Sequence, residues 1–273
     1  MINELLKGFS KLTTTSTEVK PDILLLQFTV VNACMVGDVK GWTLIDTGLE
    51  NSSDFILKMA KDRFGDGNKP KSIVLTHGHF DHVGSVKRLS ELWDVPVYIH
   101  ELELDYVIGK KSYPQGDSTV DEGLVAKMSP AFPNEPIDIG HRAVPLPSDG
   151  SIPGMPHWKW IYTPGHTDGH VSLFREKDRV LIAGDAFTTT KQESFTSVLS
   201  QRKEVKGPPA YLTTDWETSR NSIEKLRDLE PHLAIPSHGL PMDGEKLSRH
   251  LDYLLTYFNN VAIPEDGKYV NKE

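Results

Sequence analysis

A single cysteine, Cys34, stands among 273 residues, which excludes an internal disulfide and favours a reducing compartment such as the cytoplasm. No apolar run approaches the roughly 18 residues that a membrane-spanning helix needs. Met1 to Thr17 is polar and rich in Thr and Ser, without the apolar stretch of a secretory signal, although a mature secreted chain would look the same. Cys34 itself lies in an apolar run, where we expect a small buried side chain.

Positive charge is scattered along the chain. The formal net charge is -8, and no cluster of Lys and Arg stands out, so the electrostatic pattern of a nucleic-acid-binding protein is missing. We therefore expect a small-molecule substrate as the binding partner, and neither nucleic acid nor a membrane. The sequence leaves the oligomeric state open, with a homodimer among the alternatives.

No low-complexity linker divides the chain, and its length fits one large α/β domain or two small ones. We predict a single domain over residues 1–273, with its core from about 22 to 260. Residues 1–20 are expected to be a poorly fixed lead-in. Residues 110–154 are rich in Pro, Gly, Ser and Asp. Such a long irregular segment in a compact domain is usually functional or mobile, so we predict a candidate lid there.

Strands alternate with helices in both halves of the chain, and His or Asp residues fall just after strand ends. Apolar runs predict strands at Ile23 to Val31, Trp42 to Ile45, Ser72 to Leu75, Val97 to Ile99, Lys159 to Tyr162, Val171 to Phe174, Val180 to Ala183 and Leu233 to Ile235. Amphipathic spacing and capping residues predict helices from Ser52 or Ser53 to Phe64, Asp81 to Leu92, Glu101 to Ile108, Asp215 or Thr218 to Leu229, and Gly244 to Phe258. Residues 188–214 are expected to be irregular.

Histidines are concentrated in His77-Gly78-His79-Phe80-Asp81-His82, directly after a predicted strand. Alternate side chains of extended backbone point the same way, so the rings of His77 and His79 can meet one ion. Asp81 and His82 open the next helix and project elsewhere, where they can hold a second ion. Imidazole nitrogen and carboxylate oxygen are ligands of zinc and similar metals. The alternative is a solvated loop or a tag remnant, but a tag would not follow an apolar strand.

The segment Thr76-His77-Gly78-His79-Phe80-Asp81-His82-Val83-Gly84 resembles the metal-binding motif of the metallo-β-lactamase fold superfamily. Further elements follow in that family's order: Leu44-Ile45-Asp46-Thr47-Gly48 before it, and Thr163-Pro164-Gly165-His166-Thr167, Gly184-Asp185 and Ser237-His238-Gly239 after it. The match spans roughly Leu24 to Leu255. The resemblance implies an α/β fold, a four-layer αβ/βα sandwich of two mixed β-sheets flanked by helices.

The resemblance also implies a role for each matched residue. His77, His79 and His166 would bind a first metal. Asp81, His82 and His238 would bind a second. Asp185 would bridge both metals, and Asp46 would orient the ligands without binding a metal itself. The two divalent ions are expected to be Zn2+, with Fe or Mn as alternatives that accept similar ligands.

The implied enzyme is a metal-dependent hydrolase in which a metal-bridging hydroxide attacks a small ester, thioester or lactone. Asp81 would also act catalytically by moving a proton to the leaving group. The dinuclear branches of the family include glyoxalase II-like thioesterases, lactonases and phosphodiesterases, whereas its true β-lactamases lack the bridging Asp at this place. A phosphodiesterase or nuclease on the same fold is the first alternative, and a non-catalytic metal-binding regulatory protein is the second.

The other histidines are expected to be structural or at the surface: His100, His141, His157, His232 and His250. His170 is expected to make a structural hydrogen bond. Phe187, Tyr211 and Trp216 are expected to pack in the interior, although they could line a pocket. Gly84 is expected to allow close packing around the helix that follows the histidine motif.

Overall fold

The computed structural model describes residues 14–190 and 204–270 of the chain. It divides into two compact units: the first takes in the described residues of Met1–Tyr113 together with Pro133–Pro156, and the second takes in Pro114–Phe132 and the described residues of His157–Glu273. The expectation of one domain over 1–273 stays a prediction. The expected lead-in over 1–13 and the expected irregular segment over 191–203 lie outside the described residues.

The first unit is built on a seven-stranded mixed sheet in which each strand lies beside its neighbour in sequence. Its strands are β1 (Thr15–Lys20), β2 (Ile23–Gln27), β3 (Asn32–Asp38), β4 (Gly41–Ile45), β5 (Ser72–Val74), β6 (Val97–Ile99) and β7 (Ala143–Pro145). The pairs from β1 to β4 are antiparallel, and those from β4 to β7 are parallel. The continuous apolar run of β2 is almost wholly buried, as is typical of a strand covered on both faces.

Helices connect the parallel strands of the first unit: α1 (Ser53–Phe64), α2 (Phe80–Val83), α3 (Val86–Trp93) and α4 (Leu104–Val107). The helix predicted from Asp81 to Leu92 is therefore two helices, broken at Gly84. The Gly84 N–H donates to the Gly48 carbonyl at 2.9 Å instead of continuing the helix. The predicted close packing at Gly84 is with the backbone of the 48–50 loop, because a Cβ there would lie 2.4 Å from Glu50 N.

Aromatic rings anchor the core of the first unit. The Trp42 ring is fully buried, stacks on Phe64 at a centroid distance of 4.5 Å and meets Trp93 edge-on at 5.6 Å. These rings tie β4 to α1 and α3, which follow it in the chain. Cys34 is also buried, as expected, and burial raises the pKa of its thiol.

The second unit contains a five-stranded mixed sheet in the order β12-β11-β10-β9-β8. Its strands are β8 (Lys159–Tyr162), β9 (Val171–Arg175), β10 (Val180–Gly184), β11 (Leu233–Pro236) and β12 (Met242–Asp243). Its helices are α5 (Leu124–Met128), α6 (Trp216–Asp228), α7 (Gly244–Thr256) and α8 (Phe258–Val261). The pair β10 and β11 is parallel, and the other pairs are antiparallel. Two mixed sheets with flanking helices confirm the predicted fold class.

Helix α6 begins where the sequence predicted, at a capping aspartate. Asp215 accepts hydrogen bonds from the Thr218 N–H at 2.9 Å and from the Thr218 hydroxyl at 2.7 Å, which satisfies a donor at the helix start. Phe187 and Trp216 lie in the buried core of this unit, so the packing interpretation holds for both. Tyr211 is buried too and meets Phe132 edge-on.

Two predictions for the N-terminal end of the chain are wrong. Residues 15–20 were expected in the lead-in but form β1, which pairs antiparallel with β2. The predicted strand from Ile23 to Val31 ends at Gln27, because the chain turns where the Phe28 N–H donates to the Val31 carbonyl. The segment 110–154 carries α5 and β7, and its role as a lid stays a prediction. None of the helices within 14–190 and 204–270 is both long and apolar enough to cross a membrane.

Candidate metal centre

The first cluster of predicted ligands follows β5. His77 and His79 are both buried, and their rings stand nearly perpendicular with His77 Nε2 2.9 Å from His79 Nδ1. The extended path through Gly78 therefore brings two ring nitrogens to one point, as the alternation of side chains predicted. When both of these nitrogens act as metal ligands, neither carries a proton, so the proton of each neutral ring is then on its other nitrogen.

The next two predicted ligands lie in the first turn of α2. Asp81 and His82 are buried, with Asp81 Oδ1 3.7 Å from His82 Nε2. The His82 ring centroid lies 4.0 Å from that of His77. The four predicted ligands of the first unit are thus neighbours in a dry environment, and a solvated His-rich loop is excluded.

Asp46 organises this cluster from the end of β4. Its carboxylate accepts from the Thr76 N–H at 2.9 Å, from the Thr76 hydroxyl at 2.8 Å and from His82 Nδ1 at 2.9 Å. Asp46 itself has a φ of 57°, a left-handed conformation that Asp and Asn adopt most readily after Gly. A carboxylate bound to Nδ1 fixes the orientation of the His82 ring and makes Nε2 the nitrogen that could bind a metal.

We expect Asp46→Asn to lower metal affinity or kcat/KM by roughly 10–100-fold, the range for residues that orient metal ligands. Asn keeps the left-handed backbone and one acceptor oxygen, but its NH2 group cannot accept from the donor that it faces, either the Thr76 N–H or His82 Nδ1. Chelator competition on the metal-loaded protein measures the affinity. The same substitution at exposed Asp62 on α1 is the control and should change neither quantity. Wild-type affinity and kcat/KM in Asp46→Asn would contradict the orienting role.

The second cluster of predicted ligands lies in the second unit. Asp185 directly follows β10, and His238 follows β11. The carboxyl ends of these parallel strands lie together, because Gly184 is in register with Pro236. Asp185 Oδ2 lies 3.1 Å from His238 Nε2 and 3.3 Å from His166 Nε2. One carboxylate oxygen is therefore shared by two imidazoles, and all three residues are buried.

Two neighbours fix the geometry of this second cluster. The Thr213 hydroxyl lies 3.0 Å from His166 Nδ1, which leaves His166 Nε2 facing Asp185. His170 accepts from the Asp185 N–H through Nε2 at 2.8 Å, and its Nδ1 lies 2.9 Å from the Thr163 hydroxyl. His170 therefore holds Asp185 in place, as its predicted structural role requires.

Both clusters suit a divalent metal by their donor chemistry. Buried imidazole nitrogens and carboxylate oxygens are common ligands for zinc, iron and manganese. Three of the imidazoles, those of His77, His82 and His166, have their second nitrogen held by a hydrogen-bonding partner, as metal-binding histidines usually do. The assignment of all seven residues to one dinuclear centre stays a prediction.

Sequence reasoning missed a buried polar group beside the first cluster. Glu103 and Tyr113 are buried, and both lie 3.0 Å from the Gly78 nitrogen. Burial and the adjacent Glu103 carboxylate raise the pKa of Tyr113 well above its usual value, so the phenol keeps its proton and donates to Glu103. A Glu within a predicted helix and a Tyr in a Pro-rich segment carry no pattern that relates them to residue 78.

A cavity of about 230 Å3 adjoins the same part of the first unit. Its apolar lining comes from Leu49, Phe80, Val83, Tyr113, Pro133 and Ile137. Glu50 and Glu135 are the charged residues in the described lining, which includes no Lys, Arg or His. The cavity is smaller than the roughly 300–1,000 Å3 of pockets for drug-sized ligands, so its size suits a small apolar group.

Comparison with known proteins gives consistent matches over most of the chain. A family model described as the metallo-beta-lactamase superfamily matches residues 26–238. The probable metallo-hydrolase YflN of Bacillus subtilis (strain 168) is 49% identical over 220 residues, which cover 81% of this chain and 83% of that relative.

Similar solved structures include the following two. That of the BLEG-1 B3 metallo-beta-lactamase has a TM-score of 0.58 at 21% identity and covers 89% of this chain and 99% of its own. That of TTHA1623 in a di-iron-bound form has a TM-score of 0.55 at 25% identity and covers 85% and 94%. The first of these likenesses concerns the fold alone.

Proposed function

The chain belongs to the metallo-beta-lactamase superfamily and is a metal-dependent hydrolase, and we propose that it uses two metal ions to hydrolyse a small ester, thioester or lactone. The observation that carries the proposal is the position of Asp185, whose Oδ2 lies within 3.3 Å of His166 Nε2 and His238 Nε2. These two histidines are proposed ligands of different ions. A carboxylate next to both is suitably placed to bridge a dinuclear centre.

In the proposed centre, His77, His79 and His166 would hold one ion, Asp81, His82 and His238 would hold the other, and Asp185 would be a ligand of both. Two bound ions supply Lewis acidity, which polarises a carbonyl and lowers the pKa of water toward neutrality. Asp81 would combine ligation with a catalytic role, since its carboxylate can take a proton from the attacking water and pass it to the leaving oxygen or sulfur. Asp46 and His170 keep His82 and Asp185 in their orientations.

The proposed substrate is small and carries no large anionic part. The net charge of the chain is -8, which disfavours approach of a polyanion such as nucleic acid. The carboxylates of Glu50 and Glu135 at the 230 Å3 cavity also disfavour the binding of an anionic group there. Small neutral acyl groups and lactone rings meet both conditions better than phosphodiesters do.

The identity of the ions is part of the proposal. We propose Zn2+ first, because imidazole and carboxylate ligands suit it, with Fe or Mn as the alternatives. TTHA1623, one of the similar structures, is described in a di-iron-bound form, so iron has support from a related fold. We also propose a cytoplasmic location, on the single buried cysteine.

A hydrolysis screen run with metal analysis on the same preparation tests the proposed function. The panel contains neutral lactones, thioesters and carboxylic esters, together with a generic phosphodiester. We expect about two metal ions per chain and turnover of at least one of the acyl classes, with little or none of the phosphodiester. Preferential turnover of the phosphodiester would support the nuclease-type alternative. Two bound metals without turnover of any substrate would favour a regulatory metal-binding protein.

A further inference from the structure

Two buried side chains from a later part of the chain accept hydrogen bonds from the backbone between His77 and His79. The Gly78 N–H points at Glu103 Oε2 and at the Tyr113 hydroxyl oxygen, each 3.0 Å from the nitrogen. Tyr113 also donates to the same oxygen of Glu103. Glu103 is fully buried, so its bonds to Gly78 and Tyr113 form where water does not compete and are strengthened by the carboxylate's charge.

Tyr113 is fixed independently of its contact with Gly78. Its ring stacks on Tyr106 at a centroid distance of 3.8 Å and touches the His79 ring at 4.4 Å. Its backbone N–H donates to the Asn134 carbonyl at 3.0 Å, and the Asn134 side-chain amide donates back to the Tyr113 carbonyl at 2.9 Å. The phenol is therefore a preorganised contact and not a mobile one.

Position 78 fits this arrangement only as glycine. A Cβ on residue 78 would lie 2.7 Å from the Tyr113 hydroxyl and 3.4 Å from Glu103 Oε2. The close approach of both side chains to the backbone thus depends on the missing side chain. The peptide they hold lies directly between the two histidines whose ring nitrogens are 2.9 Å apart.

We propose that Glu103 and Tyr113 are positioning residues that hold the Gly78 peptide, and through it the rings of His77 and His79, in the geometry that binds the first metal ion. The proposal rests on the proposed dinuclear function. It gives part of the 110–154 segment a supporting role behind the metal-binding loop, since Tyr113 and Asn134 both belong to that segment.

Isosteric variants test the proposal without opening a cavity. Tyr113→Phe removes the hydroxyl and keeps the stacked ring, and Glu103→Gln keeps the shape and removes the charge. Tyr106→Phe is the matched control, because it removes a phenol from the adjacent ring in the same stack. The measurements are zinc affinity by chelator competition, thermal unfolding of the metal-free protein, and the amide proton resonance of Gly78 in the metal-free protein.

We expect Tyr113→Phe and Glu103→Gln to lower zinc affinity by roughly 10–100-fold, as for other residues that orient metal ligands. The control Tyr106→Phe should keep wild-type affinity, even if all three variants unfold at similar temperatures. In Glu103→Gln the Gly78 amide proton should move upfield, because its carboxylate acceptor becomes a neutral amide.

Wild-type zinc affinity in both Tyr113→Phe and Glu103→Gln would overturn the proposal. So would an equal loss of affinity in all three variants, since that pattern reports the stability of the ring stack. None of these measurements uses a substrate. A wild-type protein that binds zinc but hydrolyses nothing in the screen would therefore refute the proposed function and leave this test intact.

Discussion

We expect Asp185→Ala to lose at least one of the two bound metal ions and to lower kcat/KM by more than about 100-fold. That exceeds the roughly 10–100-fold cost of removing a residue that only orients a ligand. The reason is that Asp185 Oδ2 is the atom that His166 Nε2 and His238 Nε2 share. Without it, the two histidines have no common charge to bring a cation between them. Metal content by elemental analysis and steady-state kinetics on the best acyl substrate measure the two effects.

Two further variants keep this prediction interpretable. Asp185→Asn retains the side-chain volume and should also lose metal, because the amide carries no charge. Asp168→Ala removes an exposed carboxyl from the loop that carries His166 and should leave metal content and kcat/KM within about twofold of wild type. Two metals and full activity in Asp185→Ala would eliminate the bridging assignment and with it the dinuclear proposal.

The second large effect concerns stability. We expect Gly84→Ala to destabilise the protein by about 3 kcal/mol, at the upper end of the usual cost of overpacking, and to lower Tm by roughly 6–10 °C. The new Cβ would lie 2.4 Å from Glu50 N and from Leu49 C, and 2.7 Å from Gly48 O. All three atoms are backbone, so no side chain can rotate away to make room. Thermal unfolding of the metal-free protein measures the loss without a contribution from metal binding.

Gly41→Ala is the matched control for Gly84→Ala. Its Cβ would meet the flexible end of Lys71, with Cε at 3.2 Å, and its backbone requires no positive φ. We expect a stability within about 1 kcal/mol of wild type, since an alanine that fits also reduces the entropy of the unfolded chain. A Tm of Gly84→Ala equal to that of Gly41→Ala would contradict this prediction, because it would mean that the backbone of the 48–50 loop can shift away from the new Cβ with little loss of stability.

Features fixed by neighbours in sequence were predicted well. The start of helix α6 at Trp216 was predictable because its cap, Asp215, binds the N–H of Thr218, only three residues later. The fold class follows from the alternation of strands and helices and from the resemblance to a known superfamily. The predicted ligands Asp185 and His238 meet because each follows a buried strand and those two strands are parallel neighbours.

Features that depend on hydrogen-bonding partners outside their own segment were missed. Strand β1 has an exposed, polar sequence, so its assignment depends on the hydrogen bonds that β2 supplies and not on a hydrophobic pattern. The break between α2 and α3 requires the carbonyl of Gly48, 36 residues earlier. The approach of Glu103 and Tyr113 to Gly78 spans 25 and 35 residues, and no local rule encodes such a contact.

The strand order of the two sheets has a consequence for how the protein is made. In each sheet every strand lies next to a strand that is adjacent in the sequence. During synthesis from the N-terminus, each new strand can therefore pair with an edge that already exists, without waiting for a distant segment to emerge. The antiparallel hairpins from β1 to β4 can form first. The free edge of β4 is then available for pairing with β5, which is followed in the chain by the histidine motif.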